Sequence, residues 1–194
     1  MLKIAITGNI AAGKSSVEEF LREKGFSVFD ADEVVHELLD NETVKSQVVL
    51  LFAGKDILED NRISRKKLGK IIFADEKSRK ELEKILHPLV KDEIRQFFHQ
   101  KEEQGEKIAF VSVPLLFEAK FESLFDKIVL IYADDEIRIK RLIERNNLPL
   151  EYAQNRLKIQ ISQDEKTSLA DYVIYNNKTF ESLRKNLEEL LINL

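Results

Sequence analysis

Gly8-Asn-Ile-Ala-Ala-Gly13-Lys14-Ser15 is the stretch on which the reading of this chain turns. It fits the pattern G-x-x-x-x-G-K-[ST], and its flanks are those the pattern requires. Lys3-Ile-Ala-Ile-Thr7 before it reads as a buried strand, and Val17, Phe20 and Leu21 after it open a helical period. A backbone that turns from strand to helix through glycines can curl so that successive N–H groups point inward. The helix start then adds the positive end of its dipole. Such a curl cradles phosphates. Lys14 is placed to reach β- and γ-phosphates, and the Ser15 hydroxyl to ligate Mg²⁺. The alternative, a glycine-rich turn with an incidental lysine, needs strand, spacing, the Lys-Ser pair and helix to coincide by chance.

The rest of the chain narrows the partners. Its 194 residues carry 31 Lys+Arg against 35 Asp+Glu, a net charge of −4, so no chain-wide basic face for nucleic acid is expected. Cysteine is absent, which excludes disulfides, thiol nucleophiles and zinc-finger spacings and is compatible with a reducing compartment. His36, His87 and His99 are too scattered for a histidine-based metal site. The longest charge-free apolar stretch, Ile108 to Phe117, is well short of the ~18 residues that span a bilayer. Lys3 followed by Ile4 to Ala12 faintly resembles a secretion signal, but Thr7, Gly8 and Asn9 break it and it runs into Gly13-Lys14. A cytoplasmic protein with no membrane association is the expectation.

Five short apolar runs read as strands: Lys3–Thr7, Ser27–Asp30, Ile108–Val113, Ile128–Tyr132 and Tyr172–Tyr175. Most are near-continuous rather than alternating, as in strands covered on both faces. Helical patterns separate them, so the expected class is α/β, a five-stranded, largely parallel sheet flanked by helices. No strand is expected between Asp30 and Ile108. There Leu82, Ile85, Leu86, Leu89, Val90, Ile94, Phe97 and Phe98 keep a 3.6-residue period, with Pro88 as a kink. This all-helical stretch reads as an insertion over 34–106, and a charge-rich helical stretch over 134–166 as a second one. The nucleotide-binding core is then 1–33, 107–133 and 167–194 of one 194-residue domain. Thr179 is the expected N-cap of a last helix with Leu183, Leu187, Leu190, Leu191 and Leu194 on one face.

Other residues carry candidate chemistry. Asp30-Ala-Asp32 stands where the second strand meets a helix, at the sheet edge where ligands bind. If the strand continues through both, the carboxylates share one side. Two readings of Asp32 stand: a group serving a substrate, or only the N-cap of Glu33 to Leu39. Arg138, Arg141 and Arg145 fall within a narrow arc of one helix. They read as a phosphate clamp on a closing segment, or as a solvated face paired with Glu136 and Glu144. Arg62 and Arg65 flank Ile63-Ser64, with Ser64 the expected cap of the next helix; they suit an anionic substrate or an ordinary surface equally. His87 reads as a structural histidine in its helix. A carboxylate often ends the third strand in proteins with this loop. Here Ser112-Val113-Pro114 stands instead, with Glu118 further on, so magnesium is expected on Ser15, water and Asp32.

Taken in order, these pieces resemble the dephospho-CoA kinases nearly end to end. The resemblance is carried by Ile6-Thr-Gly8 through Lys14-Ser15, Val28-Phe-Asp-Ala-Asp32, Ile57-Leu-Glu-Asp-Asn-Arg62-Ile-Ser-Arg65 and Phe73-Ala-Asp75. It continues through Leu86-His87-Pro88-Leu89, Val113-Pro-Leu-Leu-Phe-Glu118, Arg141 to Arg145, Gln160 and Ala170-Asp-Tyr-Val-Ile-Tyr-Asn-Asn177. It implies a small kinase that moves the γ-phosphoryl of ATP to the ribose 3′-hydroxyl of dephospho-CoA, giving CoA. The insertion at 34–106 is then the CoA-binding part and 134–166 the lid. Gly8, Asn9, Ile10, Ala11, Ala12, Gly13, Lys14, Ser15, Ser16, Arg141, Arg145 and Asn176 are implied on the ATP side. Asp32, Arg62, Arg65 and His87 are implied on the acceptor side, with Asp32, Lys14 and Arg141 in the chemistry. The implied partners are ATP with Mg²⁺ and dephospho-CoA, no nucleic acid and no membrane, on a monomer or weak homo-oligomer.

Some positions depart from the family pattern. Asn9 and Ala11 stand at loop places usually held by glycine, and Ser16 at a usual threonine. Gln163 and Lys166 replace common arginines of the lid, while Tyr175 and Lys178 flank Asn176-Asn177 in place of an Asp and a Gly. A kinase for another nucleoside or nucleotide, and a nucleotide-binding switch with no acceptor, are the competing readings.

Overall fold

A computed structural model of the chain describes residues 1–146, 149–157 and 160–194. Two compact units emerge, Met1–Asp30 with Phe97–Leu194, and Ala31–Gln96.

The first unit is built on five strands, β1 (Leu2–Thr7), β2 (Ser27–Asp30), β5 (Ile108–Ser112), β6 (Lys127–Tyr132) and β7 (Tyr172–Tyr175). They lie in the order β2-β5-β1-β6-β7, every pair parallel. The registers Asp30↔Ser112, Ile6↔Ser112, Thr7↔Leu130 and Tyr132↔Tyr175 bring the C-terminal ends of the strands to one edge. The phosphate loop leaves the middle strand at that edge, where open α/β sheets bind ligands. Val113 lies just past β5, although its N–H still donates to the Ile6 carbonyl at 2.9 Å.

Helices α1 (Lys14–Glu23) and α9 (Phe180–Ile192) cover one core of this sheet. Val17, Phe20 and Leu21 of α1 and Leu183, Leu187 and Leu190 of α9 pack with Ile4, Ile6, Phe110, Val129 and Ile131. Each such side chain taken fully from water contributes about 1.5–3 kcal/mol before entropy. Thr179 caps α9 as expected, its hydroxyl accepting the Ser182 N–H. Three further helices belong to the unit, α6 (Asp135–Asn146), α7 (Leu150–Leu157) and α8 (Gln163–Leu169). Leu142, Ala153 and Leu157 form their own small core.

The second unit holds α2 (Ala31–Asp40), α3 (Glu42–Leu51), β3 (Leu58–Glu59), β4 (Arg62–Ile63) and α4 (Arg65–Ala74). With them goes most of the long α5 (Glu76–Glu103), which runs through Pro88. Leu39, Val44, Val48, Phe52, Ile57, Ile63, Leu68, Leu82 and Leu86 make its core. The last turns of α5 belong to the first unit, where Phe97 meets Phe29 and Phe98 meets Phe125.

Three expectations are corrected. The stretch between Asp30 and Ile108 is not strand-free, because β3 and β4 pair as an antiparallel hairpin. Asp60 and Asn61 both take positive φ, 47° and 61°, as a two-residue primed turn demands. The strand does not continue through Asp30-Ala-Asp32: β2 stops at Asp30 and α2 starts at Ala31. Asp32 is therefore neither a strand residue nor an N-cap, but the second residue of a helix. Ser64 stands at the N-cap of α4, yet its hydroxyl donates to Glu59 at 3.0 Å instead of capping the helix.

Candidate active site

The loop between β1 and α1 owes its shape to its glycines and to ties from outside. A Cβ on Gly8 would stand 2.6 Å from the Ile131 carbonyl oxygen, so only glycine lets the loop pass β6 that closely. Gly13 is the N-cap of α1, at φ 104°, ψ 25°, and a Cβ there would overlap Nδ2 of Asn176. Having no side chain, Gly13 caps none of the N–H groups at the helix start, and these carry the helix's partial positive charge. The Ala12 N–H donates to the Asn9 carbonyl at 3.0 Å, closing the curl. Between them Ala11 sits at φ 61°, a left-handed conformation where a Cβ is strained by about 1–2 kcal/mol.

Lys14 is the first residue of α1, and its ammonium reaches back to the Gly8 carbonyl at 3.0 Å. Its charge is thus held across the curl. Ser15 is exposed and Ser16 half-buried in the first turn. The Ser15 hydroxyl is a hard oxygen donor of the kind Mg²⁺ accepts alongside phosphate oxygens and water. No group of three or more His, Cys, Asp or Glu that could hold a metal occurs among the described residues. The donor set present therefore fits a magnesium ion that arrives with a nucleotide, not one held in a protein cage.

The three arginines of α6 separate by environment. Arg138 is buried and paired with Asp135 at 2.6 Å, one turn back. Arg145 is exposed in the last turn. Arg141 lies against the loop: Nη1 is 3.4 Å from both the Ala11 and Ala12 carbonyl oxygens, and Nη2 donates to the Asn176 carbonyl at 2.9 Å. Burial pulls its pKa down from the ordinary value, but a guanidinium so placed stays charged. Asn176, just past β7, completes this side. It is 6% exposed, its N–H donates to Tyr132 at 2.7 Å and its Nδ2 to the Ala12 carbonyl at 2.8 Å. Gly8 through Ser16, Arg141 and Asn176 thus lie in one place.

Other residues here take structural roles that the sequence did not reveal. Gln163 accepts the Ala133 N–H at 3.2 Å and donates to the Ala133 carbonyl at 2.8 Å, pinning α8 to the end of β6. Lys166 is fully buried against Glu118, and burial lowers its pKa while that carboxylate works in the opposite direction. Ser112, at the strand end, donates to the buried Glu18 at 2.6 Å. Gln163 and Lys166 stand out in the sequence only as departures from positions where arginines are common, and that signal carries no information on burial.

The acceptor-side candidates lie in the second unit. Asp32 is exposed in the first turn of α2, where a carboxylate complements the helix dipole. Arg62 is in β4, across the hairpin from Glu59, and Arg65 opens α4; both are exposed. His87 is half-buried in α5, and burial holds its pKa below the usual histidine range.

Comparison with known proteins identifies the family. A family model described as dephospho-CoA kinase matches residues 2–182. The dephospho-CoA kinase of Listeria innocua is 41% identical over 189 residues, covering 95% of this chain and 92% of the relative. Among solved structures, a protein from Thermus thermophilus superposes with a TM-score of 0.84 at 30% identity, covering 100% of this chain and 97% of that one. The dephospho-CoA kinase of Campylobacter jejuni gives a TM-score of 0.73 at 31% identity over 98% and 96% of the two chains. A chain with this sheet, this phosphate loop and these matches belongs to the dephospho-CoA kinase family.

Proposed function

We infer that this chain transfers the γ-phosphoryl group of ATP to the ribose 3′-hydroxyl of dephospho-CoA, giving CoA and ADP, the last step in making CoA. The observation that carries the reading is the phosphate loop with Lys14 bound back to Gly8 and Arg141 against Ala11 and Ala12, in a chain of this family.

In this reaction the acceptor oxygen forms a bond to the γ-phosphorus and the bond to the β,γ-bridging oxygen breaks. The transferring group has a loose transition state, so the protein's task is positioning and charge stabilisation. The loop N–H groups and Lys14 hold the β- and γ-phosphates. The Ser15 hydroxyl would hold Mg²⁺ together with the phosphates and water, and the ion would supply neutralisation of their charge. Arg141 donates to the loop carbonyls of Ala11 and Ala12 and to the Asn176 carbonyl, so its guanidinium is preorganised where charge accumulates. Asp32 orients the 3′-hydroxyl and accepts its proton. Arg62, Arg65 and His87 bind the acceptor in the helical part over 34–106, and Arg145 supplements Arg141 from the lid over 134–166.

Among the described residues no helix is long and apolar enough to cross a membrane. The reading places the enzyme in the cytoplasm, as a monomer or weak homo-oligomer, with ATP and dephospho-CoA as partners. Asp32→Asn tests the least usual assignment, because the amide keeps the size but cannot take a proton. Turnover should fall by about 10²–10⁴ while both substrates still bind. Turnover within about threefold of wild type, well below that general-base range, would remove Asp32 from the reaction.

A further inference from the structure

The segment that leads into α8 is fastened to the phosphate loop, and a buried ion pair fastens the segment itself. The Ile10 N–H donates to the side-chain oxygen of Gln160 at 2.8 Å. The Asn9 side chain, 1% exposed, donates to the Ile161 carbonyl at 2.9 Å. Ile161 is held in turn by its own N–H, which donates to Oε1 of Glu118 at 3.2 Å. That same oxygen lies 2.8 Å from the ammonium of Lys166, whose side chain is fully buried one turn into α8. Glu118 thus binds the segment at both ends, and the segment binds the first half of the loop.

We propose that Glu118 is a positioning residue for ATP, acting through Ile161, Lys166 and Gln160 to hold Asn9 and Ile10 in the shape that receives phosphate. The physical need is local. Asn9 and Ala11 are not glycines, and Ala11 sits at φ 61°. A side-chain-bearing residue stays in that conformation only where its surroundings over-determine it. Asn176 and Arg141 fix the loop after Ala11, and the Gln160 and Ile161 contacts fix it before. The chemistry of Glu118 suits this role: one carboxylate oxygen carries both the Ile161 N–H and the Lys166 ammonium. Replacing it by an amide leaves a buried cation uncompensated, which such a site tolerates poorly.

The proposal rests on ATP being a substrate, so its test reads ATP binding alone, by calorimetry without acceptor, together with the KM of each substrate. Glu118→Gln should weaken ATP binding about tenfold, and Gln160→Ala by several-fold, the scale of lost hydrogen bonds to a loop. The KM for dephospho-CoA should stay within about twofold, because a loop contact is removed and no acceptor contact is. In the double variant the loss should not exceed that of Glu118→Gln alone by more than about twofold, since both residues act through one tie. A merely structural role lowers the folded fraction and leaves the affinity of the folded protein unchanged. ATP affinity within about twofold of wild type in either folded single variant, where a broken tie should cost more, or multiplicative losses in the double, overturns the proposal. Should Glu118→Gln not fold, Gln160→Ala, which leaves the ion pair intact, decides by the same criterion. Wild-type protein that binds ATP but fails to phosphorylate dephospho-CoA would count against the proposed function and leave this test standing.

Discussion

Replacing Gly13 by alanine perturbs the site at the point where loop, helix and Arg141 meet. Two costs can be read from the structure. At φ 104°, ψ 25° an alanine backbone is strained by about 1–2 kcal/mol. Its Cβ would also displace Nδ2 of Asn176 from the Ala12 carbonyl. A buried donor left without its acceptor costs about 1–3 kcal/mol. Together the substitution should destabilise the protein by about 2–5 kcal/mol. The displaced Asn176 also carries the carbonyl that Arg141 binds, so ATP affinity should fall with stability. Urea unfolding gives the first quantity and calorimetry the second. The Gly13→Ala/Asn176→Ala double variant should be less destabilised than the sum of its singles by about 0.5–3 kcal/mol, because the clash is removed. Gly13→Ala within about 0.5 kcal/mol of wild type, the range of neutral surface changes, and with normal ATP affinity, would refute the reasoning.

Ala11→Gly should stabilise the protein by about 0.5–1 kcal/mol, the left-handed strain relieved less the added unfolded-state entropy; urea midpoints check it. Lys14→Ala should lower turnover by about 10² or more with an unchanged far-ultraviolet spectrum, as expected for a donor worth about 2.7–4 kcal/mol in a dry site; near-normal turnover would end the phosphate-loop reading. His87 has a folded pKa below its ordinary value of 6.5, so the unfolded chain takes up the proton first as pH falls. Stability should therefore be fully present above pH 6.5 and decline as pH falls below it, and His87→Gln should flatten that part of the profile.

The sheet was legible because buried parallel strands leave near-continuous apolar runs, and the loop because its glycines, lysine and serine have fixed spacing. The hairpin at Leu58–Ile63 was not, since two-residue strands leave no period and its one signal is the Asp60-Asn61 turn. Arg138, Arg141 and Arg145 look alike on a helical wheel. What separates them is which neighbours cover α6, a tertiary fact that puts Arg138 against Asp135 and Arg141 against the loop. Gln163 and Lys166 read as weakened substitutes for arginine, yet both are buried supports, tied to Ala133 and Glu118. Asp32 could be placed near the end of β2, but whether strand or helix carried it depended on a boundary that spacing does not settle.

The most direct test of the whole account is the identity of the product. Purified protein with ATP, Mg²⁺ and dephospho-CoA should convert the acceptor to a species heavier by one phosphoryl group, with phosphorus magnetic resonance placing the new monoester at the ribose 3′-oxygen and ADP formed in equal amount. ATP consumed at the same rate without dephospho-CoA, or a nucleoside monophosphate phosphorylated in its place, would contradict it.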